Sequence, residues 1–127
     1  MNMEIENRAF KRGDVYMANL GTSIGSVERG YRPVVILQNN IGNFYAPTLI
    51  IAPITSQVKR FHSTHYDVPP VGFLKNGSVV LLEQIATIDK RQCSQYLGSF
   101  NSWQMGEINE RIQTSIGLSI PEEMEAP

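Results

Sequence analysis

Two residues at the ends of apolar runs carry the clearest chemistry in this chain. Arg32 opens "RPVVILQN", and Thr55 closes "LIIAPIT". A guanidinium binds phosphate in a bidentate fashion and keeps its charge at neutral pH. A threonine hydroxyl can donate to a phosphate oxygen or accept a hydrogen bond from a neighbour. If the two runs are antiparallel neighbouring strands, the start of one lies beside the end of the other. Arg32 and Thr55 then share one rim. There they could hold a phosphodiester and stabilise the charge of a pentacoordinate transition state. On patterning alone, an arginine at a strand mouth and a threonine at a strand end remain the simpler reading.

Other reactive residues are few. His62 and His65 titrate near neutrality and are general acid–base candidates. Two histidines working on one phosphate must flank it. Three residues apart at a loop-to-strand junction, these two share a face only if the chain turns locally, so they read as surface histidines. Cys93 follows Lys90 and Arg91, which could lower its pKa, but a structural role is the favoured reading. One cysteine and two histidines make a dedicated zinc site an unlikely use of this chain. Neither the P-loop pattern nor G-x-G-x-x-G occurs, and no G-x-S-x-G elbow appears.

The elements that must position Arg32 and Thr55 follow from the hydrophobic pattern. "GDVYMANL" alternates as a strand, with Val15 and Met17 on one face and Tyr16, Ala18 and Leu20 on the other. Residues 21–31 form a polar loop with three glycines, long for a hairpin. Pro33 lacks an N–H and belongs at the start of the second strand. Val34 to Leu37 are continuously apolar and predict burial on both faces. A turn region follows at 41–48, then a buried strand at 49–55 and a basic loop at 56–63. The pattern predicts further strands at 64–69, 78–85 and 95–100, a turn at 75–77 and a single helical turn at 87–92. Met105, Ile108, Ile112 and Ile116 then recur at helical spacing, with Asn101 or Ser102 as N-cap and Gly117 as the stop. Many short strands and one closing helix indicate a small, mainly antiparallel β-barrel or sandwich.

Composition sets the outer bounds. The chain has 127 residues, 42% of them apolar, which suits one folded domain. We divide it into a polar leader at 1–9, a domain at 10–120 and an acidic tail at 121–127. The net charge is -1, yet ten Lys and Arg stand against five Asp and Glu between residues 8 and 100, with acidic flanks. A basic middle fits a phosphate-bearing ligand, and equally a solvated surface. No apolar run is long enough to span a bilayer and no signal-peptide core is visible, so a cytoplasmic protein is expected.

Read as blocks, "KRGDVYMANL", the glycine-bearing loop with "GS", "RPVVILQNNIGN", "PTLIIAPIT" and "VVLLEQIATIDK" resemble the MazF/PemK family of toxin endoribonucleases. The blocks occur in order from about Lys11 to Ile120, and the likeness is strongest to the MazF proteins of Gram-positive bacteria. The resemblance implies an SH3-like (CcdB/PemK-type) antiparallel β-barrel with a C-terminal helix. It implies a homodimer that cuts single-stranded RNA, usually mRNA, at short motifs without a metal or other cofactor. Attack of the ribose 2′-OH on the adjacent phosphorus would leave a 2′,3′-cyclic phosphate and a 5′-OH, and a MazE-like antitoxin would block the RNA groove. The family's catalytic arginine falls on Arg32 and its catalytic threonine on Thr55. RNA contacts fall on Ser26, Glu28, Pro33, Gln57, Glu83 and Gln84. The chain departs from the family pattern at two places. "GSVERG" puts Val27 where a glutamate is usual, with Glu28 one place later, and Ala86 replaces an arginine of close relatives. Neither change touches Arg32 or Thr55, so cleavage is expected to survive, but the cut motif is not transferable. The competing expectations are a non-enzymatic, CcdB-like gyrase inhibitor on the same fold and an inactive RNA-binding relative. The presence of both Arg32 and Thr55 discriminates against the gyrase inhibitor.

Overall fold

A computed structural model describes residues 9–22, 25, 27–58 and 62–119. The leader up to residue 8, the tail at 121–127 and the expected RNA contact Ser26 lie outside the described residues. Among the described residues there are seven strands: β1 (Asp14–Asn19), β2 (Tyr31–Ile36), β3 (Thr48–Thr55), β4 (His65–Asp67), β5 (Val79–Leu81), β6 (Ala86–Asp89) and β7 (Cys93–Ser99). The same residues hold two α-helices, α1 (Asn40–Tyr45) between β2 and β3 and α2 (Ser102–Ser115) after β7. Every strand pairing is antiparallel. The sheet runs in the order β4-β5-β3-β2-β1-β7, and β6 adds to the first half of β3. The mainly β architecture with a C-terminal helix is as expected. The barrel is not closed, because the path ends at β4 and β7, which do not pair.

The central strands are apolar without interruption because both of their faces are buried. Val15, Val35, Ala52 and Ile54 point into one cluster with Met105 and Ile108 of α2. Tyr16, Val34, Ile36, Leu49 and Ile51 point into a second cluster with Phe10, Ile88 and Cys93. Alternation within each strand therefore feeds two cores, and each fully buried Val or Ile contributes about 1.5–3 kcal/mol. Cys93 is one of these core residues, and burial pushes its thiol pKa up to about 12. The neighbouring cations do not activate it, and the structural reading stands.

Helix α2 starts on a capping box. The Asn101 side chain accepts from the Gln104 amide at 2.8 Å, and the Gln104 side chain accepts from the Asn101 amide at 2.9 Å. Gly117 takes φ +79° just beyond the helix, where the Leu118 amide reaches back to the Gln113 carbonyl at 2.8 Å. Met105 and Ile108 are buried and Ile112 packs beside them, but Ile116 is 58% exposed. The expected stripe thus ends one turn early, where the helix passes the edge of the core.

Three segments differ from the pattern-based expectation. The turn region at 41–48 contains α1, whose N-cap Asn39 accepts from the Gly42 amide at 2.8 Å. Its apolar residues Ile41, Phe44 and Tyr45 are exposed, so the helix has no inward stripe to read. The expected strand at 78–85 is extended only over Val79–Leu81, and Leu82–Gln84 coil into a 3-10 turn. The expected helical turn at 87–92 is strand β6 up to Asp89, followed by a 3-10 turn over Lys90–Gln92 that Asp89 caps.

Candidate active site

Strands β2 and β3 are antiparallel neighbours, with Val34 opposite Pro53, Val35 opposite Ala52 and Ile36 opposite Ile51. Arg32 lies two residues before this ladder on β2 and Thr55 two residues beyond it on β3, at the same end of the strand pair. On the other side of β2, β1 brings Ala18 against Arg32 and Met17 against Pro33. The sheet therefore delivers both residues to one rim, where they line a cleft of about 710 Å³. Glu28, Pro33 and Gln57 line the same cleft.

The Arg32 side chain is fixed from below. Its Nε donates to the Arg29 carbonyl at 2.6 Å, and NH1 lies 2.8 Å from Glu28 Oε2. Both partners of this ion pair are about a quarter exposed, so the charge is reachable from the cleft. Glu28 is itself held, because its amide donates to Gln84 Oε1 at 2.7 Å. The loop carrying Glu28 is closed at its base by Leu20 N to Gly30 O at 2.8 Å and Gly30 N to Gly21 O at 2.7 Å. Gly30 has φ +79°, which an L side chain rarely adopts.

Thr55 is 8% exposed, and its Oγ1 accepts from the Gln57 amide at 3.2 Å. That bond uses an acceptor position of the hydroxyl, so the Thr55 proton remains to be donated to an oxygen in the cleft. A fixed guanidinium and an oriented hydroxyl donor facing one cavity can hold two oxygens of a phosphate.

The remaining expected contacts are placed differently. Gln84 sits behind the loop as the support for Glu28. Glu83 is turned away from the cleft: its Oε2 lies 2.8 Å from His65 Nε2, and its Oε1 accepts from Thr64 Oγ1 at 3.2 Å. His65 is thereby a correction, since it is buried rather than on the surface. The chain does turn locally, with the His65 amide donating to the His62 carbonyl at 3.0 Å, and the two rings meet edge-on at 4.9 Å. Neither histidine lines the cleft. Several cleft residues gave no sequence signal, among them Tyr31, Phe73, Lys75 and Gln95. These four come from three separate segments, β2, the loop before β5 and β7, and Lys75 reads only as part of a turn. Gln95 arrives through the β1–β7 register, opposite Met17.

Fold and rim together define a class. The model of the PemK-like, MazF-like toxins of type II toxin–antitoxin systems matches residues 11–116, and the chain belongs to this family. Among its relatives, the endoribonuclease EndoA of Bacillus subtilis is 40% identical over 110 residues, covering 85% of this chain and 95% of that protein. The endoribonuclease MazF of Staphylococcus saprophyticus is 43% identical over 110 residues, covering 85% of this chain and 92% of that one. Among solved structures, a mycobacterial endoribonuclease in complex with its cognate antitoxin superposes with TM-score 0.75 at 28% identity, covering 89% of this chain and all of that one. A MazF from Deinococcus radiodurans gives the same TM-score at 20% identity over 87% of this chain and 99% of that one, a likeness of fold. Among the described residues no helix is long and apolar enough to cross a membrane.

Proposed function

We propose that this chain is a cytoplasmic, metal-independent endoribonuclease that cuts single-stranded RNA at a short sequence motif, the toxin partner of a MazE-like antitoxin. The observation that carries the reading is that Arg32 and Thr55, at one end of the antiparallel β2–β3 pairing, line a single cleft. Single-stranded RNA presents its 2′-OH and base edges to a rim built from loops. In this account the ribose 2′-OH attacks the adjacent phosphorus, the bond to the 5′-oxygen breaks, and a 2′,3′-cyclic phosphate and a 5′-OH result. The N–H groups of Arg32 outside the Glu28 pair stabilise the growing negative charge. Thr55 donates its hydroxyl proton to a phosphate oxygen and positions the 2′-OH. Positioning and electrostatics supply most of the rate.

Base reading falls to the rim around that pair. Gln57 and Pro33 line the cleft directly. Glu28 meets the RNA through Arg32, whose charge it balances. Gln84 of the 3-10 turn supports the loop by accepting from the Glu28 amide, whereas Glu83 is engaged by Thr64 and His65; Ser26 stays a proposed RNA contact. In this reading the chain acts as a homodimer and the antitoxin inhibits by occupying the RNA groove; that a mycobacterial endoribonuclease of this fold is found in complex with its cognate antitoxin supports the antitoxin partner. The test is to incubate the pure protein with a long RNA in EDTA and map the ends. Cuts at one short motif with 5′-OH ends support the reading. Intact RNA contradicts it, and unimpaired DNA gyrase in a parallel assay then points to an inactive RNA-binding relative.

A further inference from the structure

Tyr31 is the wall between two depressions. One is the cleft of Arg32 and Thr55. The other is a groove of about 530 Å³ lined by Asn19, Leu20, Gly21, Arg91, Gln92 and Ser94. Tyr31 lines both. Tyr31 is 60% exposed, and its hydroxyl lies 2.6 Å from Ser94 Oγ, which fixes the ring as a bar across the rim. Each half of the bar is the chain neighbour of a cleft residue: Tyr31 precedes Arg32, and Ser94 precedes Gln95. A strand that lies on Arg32 and continues past the bar enters the groove.

The hydrogen-bonding capacity of that groove is largely committed. Gln92 accepts from the Asp89 amide and donates to the Asn19 carbonyl, both at 2.8 Å. Asn19 Oδ1 accepts from the Gly21 amide at 3.0 Å. What remains is an aromatic face and a cation. The Arg91 side chain is 77% exposed, and only its Nε and NH2 are engaged with Asp89, at 3.0 and 3.1 Å, which leaves NH1 outside the pair. An exposed ring beside an exposed guanidinium is the pairing that binds single-stranded nucleic acid through stacking and phosphate contact with little base preference.

We propose that this groove is a second nucleotide subsite, which takes an RNA residue flanking the scissile bond with its base on Tyr31 and its phosphate on Arg91. The inference rests on the nuclease reading of the cleft. The subsite adds affinity and a minimum substrate length, and it is indifferent to which base it holds.

The test uses uncleavable 2′-O-methyl oligonucleotides of mixed sequence and graded length, with dissociation constants measured at two salt concentrations. In wild type, affinity rises as oligonucleotides become long enough to cross the bar. For Tyr31→Ala and Arg91→Ala, the ratio of variant to wild-type Kd grows with length to about five-fold or more. Arg91→Ala also lowers the salt slope by about one. Tyr31→Phe, which keeps the ring, retains the wild-type gain. Variants that follow the wild-type length dependence overturn the subsite, as does a wild type that gains nothing with length. RNA cleavage is scored separately. Wild type that binds with the expected length gain but cuts nothing faults the nuclease reading and leaves the subsite standing. Wild type that cuts without that gain faults the subsite alone.

Discussion

Arg32 reaches the cleft with a partner already on it. An incoming phosphate must replace the Glu28 carboxylate at NH1 or share the guanidinium with it. A partly exposed pair of this kind is worth at most about 1 kcal/mol. Glu28→Gln should therefore bind an uncleavable RNA about two- to five-fold tighter in a fluorescence titration, because the competing charge is gone and the amide keeps the shape. Weaker binding by this variant would show that the carboxylate contacts RNA itself. Thr55→Val removes the hydroxyl that the Gln57 amide orients. Single-turnover cleavage should fall about 10²- to 10³-fold, the cost of losing one donor to a developing oxyanion, with the circular dichroism spectrum unchanged. At this scale the sequence was informative where a residue's place followed from strand order. Arg32 and Thr55 could be paired because each ends an apolar run, and antiparallel register does the rest. Tyr31, Phe73, Lys75 and Gln95 could not, because nothing local ties their three segments to one cavity. The Glu28–Arg32 contact depends on the loop's closure at Gly30, which composition does not describe.

Elements were legible in proportion to the periodicity of their burial. Strands β1, β2 and β3 and helix α2 bury regular faces and were anticipated closely. Helix α1 was missed because it exposes Ile41, Phe44 and Tyr45 and is held by polar groups, including the Asn39 cap. Strand β6 was read as a helical turn because its capping residue, Asp89, belongs to both elements. Packing between elements also reaches the cleft. Gly98 of β7 lies so close to the Phe73 ring that a Cβ there would enter it. Phe73 lines the cleft and packs on Phe100 with ring centroids 6.0 Å apart. Gly98→Ala should overpack this contact at about 1–3 kcal/mol and lower the Tm by about 5 °C or more in calorimetry. Adding Phe73→Leu should restore part of the loss. An unchanged Tm for Gly98→Ala would mean that Phe73 moves aside without resistance.

The whole molecule is a two-faced sheet, open between β4 and β7, with one core under α2 and another around Cys93. The second core makes stability depend on pH. The unfolded thiol ionises near 9, whereas the folded thiol is held protonated to about 12 by burial. Below pH 9 both states carry the proton and stability is unaffected. Between these values the unfolded chain loses the proton and the folded chain keeps it. Stability should then fall with rising pH, by up to about 1.4 kcal/mol per unit. Urea melts of wild type and Cys93→Ala from pH 8 to 11 check this, and the variant should lack the extra slope. A slope that Cys93→Ala does not change would place the thiol at the surface. The closed barrel implied by family resemblance was legible as a class but not in detail, because whether β4 and β7 meet depends on long-range geometry that no local pattern records.

The central claim is that Arg32, which shares a cleft with Thr55 at the end of the β2–β3 pairing, supplies the electrostatic stabilisation for RNA cleavage. Its most direct test is the single-turnover cleavage rate of Arg32→Ala on a long RNA in EDTA, beside wild type, with the fold of both checked by circular dichroism. The account predicts that wild type cuts at one short motif and leaves 5′-OH ends. The folded variant should be slower by at least about 10²-fold. A folded Arg32→Ala protein that cuts the same motif at the wild-type rate would contradict it.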